Sequence, residues 1–148
     1  MYDRILAPTD GSDGTRAAVE HAIDLATTYD AALHTIYVVD TNVGLDSSIP
    51  GTLDALEEAG ENAIDAVIRR AEAAGVDTIE GVVARGTPHR AVLDYVDEHD
   101  VDLVVMGTHG RTGLDRYLLG SVTERVVRLS DAPVLTVRMP AESAGESS

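Results

Sequence analysis

Short apolar runs alternate along the chain with longer stretches whose apolar residues recur every three or four positions. The first run, in YDRILAP, predicts a buried strand over 2–8 that stops at Pro8. Val19, Ala22, Ile23 and Ala26 then form a helical stripe, so a helix is expected over 13–29, with Ser12 or Asp13 as its N-cap. AALHTIYVVD predicts a second strand near 32–39, followed by a loop in TNVGLDSSIPGT. Leu53, Leu56, Gly60, Ile64, Val67 and Ala71 keep helical spacing, and Gly75 ends that long helix as a left-handed cap. TIEGVVAR reads as a third strand. The break at Gly86 and Pro88 leads into a helix with Val92, Tyr95 and Val96 on one face. VDLVVM is the fourth strand, Val122, Val126 and Leu129 mark a fourth helix, and APVLTVR is the fifth strand. The last residues, 139–148, are small and polar and are expected to be a disordered tail.

Strands that alternate with helices of this length predict an α/β fold with one five-stranded parallel sheet and right-handed crossovers. Continuously apolar strands such as VDLVVM fit burial on both faces. The expected strand order is 3-2-1-4-5. In such a sheet ligands bind beyond the carboxyl ends of strands one and four, where the winding reverses. The segments PTD and GTHG both fall there.

Composition narrows the function classes. At 148 residues and 44% hydrophobic, the chain suits one buried core, and it shows no repeat and no linker. It has no Cys, which removes disulfides, thiolate zinc sites and a cysteine nucleophile. No run is long enough to span a membrane, and MYDRILAPTD turns polar too early for a signal peptide, so a cytoplasmic location is expected. The formal net charge of -15 opposes nucleic acid and anionic lipid as partners. All 11 basic residues are Arg and Asp outnumbers Glu, a bias that suggests a halophilic source. In concentrated salt the Debye length shrinks to about 3 Å and self-repulsion is damped.

The stretch GTHGRTGLDRYLLGS, residues 107 to 121, carries the candidate chemistry. Gly107, Gly110 and Gly120 stand at a predicted switch point, with Ser121 directly after them. Glycines let a ligand reach the main chain, so backbone N–H groups aimed at a phosphate are one reading. A tight turn is the other. Ser121 and Glu124 form a capping-box pattern that would start the fourth helix, whose positive end suits an anion, and Thr123 adds a hydroxyl. A Walker P-loop is excluded, since the chain has no Lys, and APTDGSDGT is not the dinucleotide fingerprint. Asp10 can accept from ribose hydroxyls, face a metal or cap a turn. Val38 can face an adenine ring or belong to the core. Arg111 and Arg116 can pair with phosphate or with carboxylates, and His109 has no partner at metal-ligand spacing.

At these residues the chain resembles the universal stress protein family over almost its whole length, from ILAPTDGS to PVLTVR. The motif is Gly107-x2-Gly110-x9-Gly120-Ser121, with Met106 before it and Val122-Thr123 after it, and it is similar to that of the ATP-binding branch. The resemblance implies a Rossmann-like, adenine nucleotide alpha hydrolase-like three-layer sandwich as one domain over 1–138. It implies ATP as ligand, with adenine near Val38 and the Pro8-Thr9 turn and ribose contacts from Asp10 and Gly107. Phosphates would then lie on Gly110, Arg111, Gly120, Ser121, Val122 and Thr123, accompanied by Mg²⁺ or Mn²⁺. Gly86 and Pro88 match the family's turn after the third strand. The resemblance also implies a homodimer through the strand at 133–138, an edge strand apolar on both faces that needs a partner or a cover.

These readings predict a nucleotide-binding regulatory protein in which ATP biases loop conformation. No residue is an obvious catalytic base or nucleophile. The alternative is a slow metal-dependent ATPase or phosphotransferase using Asp10. An adenylyl-transfer enzyme would require SGGxDS after the first strand, where PTDGSD stands instead.

Overall fold

The computed structural model describes residues 2–41, 52–108 and 120–138. In chain order they form β1 (Arg4–Pro8), α1 (Asp13–Tyr29), β2 (Ala32–Asp40), α2 (Thr52–Ala74), β3 (Ile79–Gly86), α3 (Pro88–Glu98), β4 (Leu103–Gly107), α4 (Ser121–Leu129) and β5 (Val134–Val137). The sheet order is β3-β2-β1-β4-β5, with every pairing parallel, as the alternating pattern predicts.

Alternation along the strands divides the core into two layers. Ile5 and Ala7 of β1, Leu33 of β2, and Leu103 and Val105 of β4 face α1, whose Ala18, Ala22 and Ala26 let the helix lie close to the sheet. Leu6, Ile36, Val104 and Met106 face the other way, against Val92, Tyr95 and Val96 of α3 and Val126 of α4. Tyr37, Val39 and Ile64 join α2 to β2 on the same face of the sheet as α1. Every residue of β4 is buried. Each fully buried Leu, Ile or Val contributes about 1.5–3 kcal/mol through removal from water.

Strand boundaries shift where side chains compete with the ladder. The expected strand over 2–8 begins at Arg4 because the N–H groups of Asp3 and Arg4 donate to Asp102 Oδ2, at 2.8 and 2.9 Å. β5 starts only at Val134, since the Ser130 hydroxyl forms a local turn with Ala132 and Pro133 has no N–H. Gly75 closes α2 as expected, with φ +95° and the N–H of Val76 on the Ala71 carbonyl at 3.0 Å. β1 and β4 share just two registered pairs among the described residues, Ile5 with Leu103 and Leu6 with Val104. Pro8, Met106 and Gly107, at or near the carboxyl ends of the two strands, line a common cleft.

The expected cap of α4 is corrected. Its N-cap is Gly120, not Ser121, which occupies the first helical position; no side-chain cap bond forms. The last residue of α4, Leu129, ends the helix on an exposed face: it is 52% exposed, whereas Val126 is fully buried. The loop expected after β2 and the tail at 139–148 lie outside the described residues, apart from Thr41 and Thr52 at the loop's ends. No helix among the described residues is long and apolar enough to cross a membrane.

Candidate functional site: a cleft at the strand carboxyl ends

Where β1 ends, the chain turns into α1 through Thr9 to Ser12. The Thr9 N–H donates to the Ile36 carbonyl at 2.9 Å, carrying the pairing with β2 one step past Pro8. Gly11 then takes φ +79°, which a side chain would resist, and its N–H donates to Thr9 Oγ1 at 3.1 Å. Asp10 Oδ1 accepts the Ser12 N–H at 2.9 Å, the Ser12 hydroxyl, and the Thr15 hydroxyl at 3.2 Å. Ser12 is thus the N-cap of α1 by position, but its hydroxyl is directed at Asp10 and makes no cap bond.

The second wall comes from the junction of β4 and α4. Met106 is buried, and the carbonyl of Gly107 accepts the buried Thr123 hydroxyl at 2.8 Å, tying the first turn of α4 to the strand end. Thr108 N–H reaches the Val137 carbonyl at 3.0 Å, and Gly120 N–H reaches the Thr108 carbonyl at 2.7 Å. Gly120 therefore contributes space rather than a donor. The first intrahelical bond is Glu124 N–H to the Gly120 carbonyl at 2.9 Å, so Ser121, Val122 and Thr123 carry the amides without an intrahelical acceptor. These three amides form the electropositive end of α4.

Between the walls lies a cleft of about 410 Å³. Pro8, Thr9, Asp10, Val38, Met106, Gly107, Gly120, Ser121, Val122 and Thr123 all line it, so residues far apart in sequence meet around one space. Gly110 and Arg111, together with His109 and Arg116, lie outside the described residues. Ile36, Val38, Val92 and Met106 supply apolar surface; Thr9, Asp10, Thr15 and Ser121 supply hydroxyls and a carboxylate. Pro88 also lines the cleft, at the first position of α3, and Gly86 takes φ +140° in the turn before it.

Sequence reading missed Thr15, Tyr37, Asp40 and Leu56, which border the same space. Thr15 carries a signal in hindsight, a hydroxyl in the first turn after a PTDGS segment. Leu56 reads as part of the apolar stripe of α2 and Tyr37 as one residue of a strand run, and their neighbourhood depends on how α2 packs. Clear pKa shifts occur away from the cleft. Burial lowers the His34 imidazole, and burial pushes the Tyr95 phenol up to about 12. The exposed Glu57 carboxylate is lowered by its hydrogen bond from Arg85, which joins α2 to β3 at 2.7 Å.

Residues 1–138 match the model of the universal stress protein family. The chain belongs to that family. Among its relatives, the universal stress protein MJ0531 of Methanocaldococcus jannaschii is 42% identical over 144 residues, covering 95% of this chain and 84% of the relative. The structure of MJ0577, a universal stress protein of the same organism, superposes with a TM-score of 0.83 at 30% identity, covering 95% of this chain and 98% of that one. A universal stress protein solved in complex with cAMP superposes with a TM-score of 0.71 at 29% identity, over 94% of this chain and 98% of that one.

Proposed function

We propose that this universal stress protein binds ATP in the cleft at the carboxyl ends of β1 and β4 and acts as a nucleotide-dependent regulator. The observation that carries the reading is the pairing of two unlike surfaces in one space. The apolar side chains of Ile36, Val38 and Met106 suit a purine ring, and the amides at the start of α4 suit a phosphate chain. The complex of a 29% identical relative with cAMP supports an adenine nucleotide as the ligand class. In this reading adenine lies against Val38 and the Pro8-Thr9 turn, Asp10 and Gly107 meet the ribose, and Ser121, Val122 and Thr123 meet the phosphates. Gly110 and Arg111 complete the phosphate contacts by family resemblance.

The donor set also bears on the metal. Among the described residues no cluster of three or more His, Asp or Glu side chains could hold an ion. Asp10 and Asp40 line the cleft as separate carboxylates. Mg²⁺ keeps waters and takes phosphate oxygens readily, so an ion carried by the triphosphate fits these residues better than one caged by protein. It would neutralise phosphate charge in a molecule of formal charge -15.

Regulation further implies a readout, and we assign it to a homodimer formed along 133–138. β5 is a sheet edge, and Leu135 on it is 36% exposed. Two measurements test the nucleotide reading: identification of the nucleotide that co-purifies with native protein, and calorimetry of ATP binding in multimolar KCl. An adenine nucleotide in the first and saturable binding in the second are expected. Native protein that carries none and takes up no ATP overturns the reading.

A further inference from the structure

Thr15, at the third position of α1, has its hydroxyl oxygen within reach of three others: Asp10 Oδ1 at 3.2 Å, the Ser12 carbonyl at 3.1 Å and Thr9 Oγ1 at 3.2 Å. A hydroxyl has a single hydrogen to give. The Ser12 carbonyl already accepts the N–H groups of Thr15 and Arg16, both at 3.2 Å. Thr9 Oγ1 accepts from the Gly11 N–H at 3.1 Å, which leaves its own hydrogen free to point at Thr15. A carboxylate oxygen is the strongest acceptor of the three, so the hydrogens run in one direction, from Gly11 to Thr9 to Thr15 to Asp10.

The two donors from Ser12 are local and would travel with the turn. Thr15 is different. It belongs to a helix whose next turns are locked into the core through Ala18, Val19 and Ala22. Its bond refers the Asp10 carboxylate to a rigid element rather than to a loop. We infer that Thr15 is a positioning residue, which orients the Asp10 carboxylate toward the ribose hydroxyls of the nucleotide. The inference rests on the ATP-binding reading and adds a residue that the sequence motif does not single out.

The test is calorimetry of ATP and of 2′,3′-dideoxy-ATP with wild-type protein and with Thr15→Val, Thr15→Ala and Thr15→Ser. Wild type is expected to prefer ATP. Thr15→Val and Thr15→Ala should weaken ATP by about tenfold with little change for the dideoxy ligand, so the preference collapses. Thr15→Ser restores the hydroxyl and should keep the wild-type preference within about twofold. A purely structural role would weaken both ligands equally and leave the preference intact, and that result overturns the inference alone. So does a wild-type protein that binds both ligands equally. Absence of ATP binding to wild type overturns the functional reading, and this inference with it.

Discussion

Gly120 and Gly60 lack a side chain for different reasons, and substitution separates them. Gly120 has φ -60° and ψ 153°, a backbone conformation open to any residue, so the fold does not require glycine there. Gly120→Val is therefore expected to keep its unfolding midpoint while losing ATP affinity at least about tenfold, read by calorimetry beside a denaturation curve. Gly60 sits on α2 against the buried ring of Tyr37, and an added Cβ would lie 2.6 Å from Tyr37 Cδ1. Gly60→Ala should destabilise the protein by about 1–3 kcal/mol through overpacking, visible as a lower urea midpoint with an unchanged slope. Because Tyr37 also borders the cleft, the same variant should weaken the ligand modestly.

Between elements, the contact most sensitive to pH is the one joining β2 to α3. His34 Nδ1 and the Tyr95 hydroxyl are 2.5 Å apart, and the Tyr95 ring stacks on His99 at 3.8 Å. Burial lowers His34 from 6.5, Glu80 opposes that shift, and His99 and Arg4 add to it. Below 6.5 the unfolded chain therefore takes up a proton that the fold resists, and stability is lost as pH falls through the folded value. Burial, then Glu80, raises Tyr95 from 10.0 to about 12, so this contribution is complete below 10.0 and is lost as pH rises toward about 12. Denaturation midpoints should show a plateau between these windows, and Tyr95→Phe should flatten the alkaline decline. No sequence pattern announced this pair, because His34 and Tyr95 lie 61 positions apart. What was legible is what periodicity encodes, the alternating elements, and what the parallel α/β class implies, the strand order with the ends of β1 and β4 brought side by side. The cap of α4 was misread, since Ser121 with Glu124 satisfies a local pattern although the chain turns one residue earlier, at Gly120. Thr15, Tyr37 and Leu56 escaped because their approach to the cleft depends on helix packing, which a one-dimensional pattern does not carry.

For the whole molecule, charge and edges set behaviour together. Both outer strands are sheet edges, yet they differ: β3 bears Glu80 and Arg85, whereas β5 reads VLTV, with Val127 and Leu129 exposed on α4, the helix that immediately precedes it. Leu135→Asp is expected to convert a dimer to a monomer in sedimentation analysis while changing the stability of the isolated fold by no more than about 0.5 kcal/mol. A protein that is monomeric before the change refutes the interface. The brief registry between β1 and β4 has a mechanical meaning as well. β1 carries β2 and β3 on one side and meets β4, which carries β5, on the other, and α1 packs across both central strands. A molecule filling the cleft would touch the ends of both β1 and β4 and tie them together there. Amide hydrogen exchange in β1 and β4 should slow in concert when nucleotide is added, with little effect at the free rim of β3.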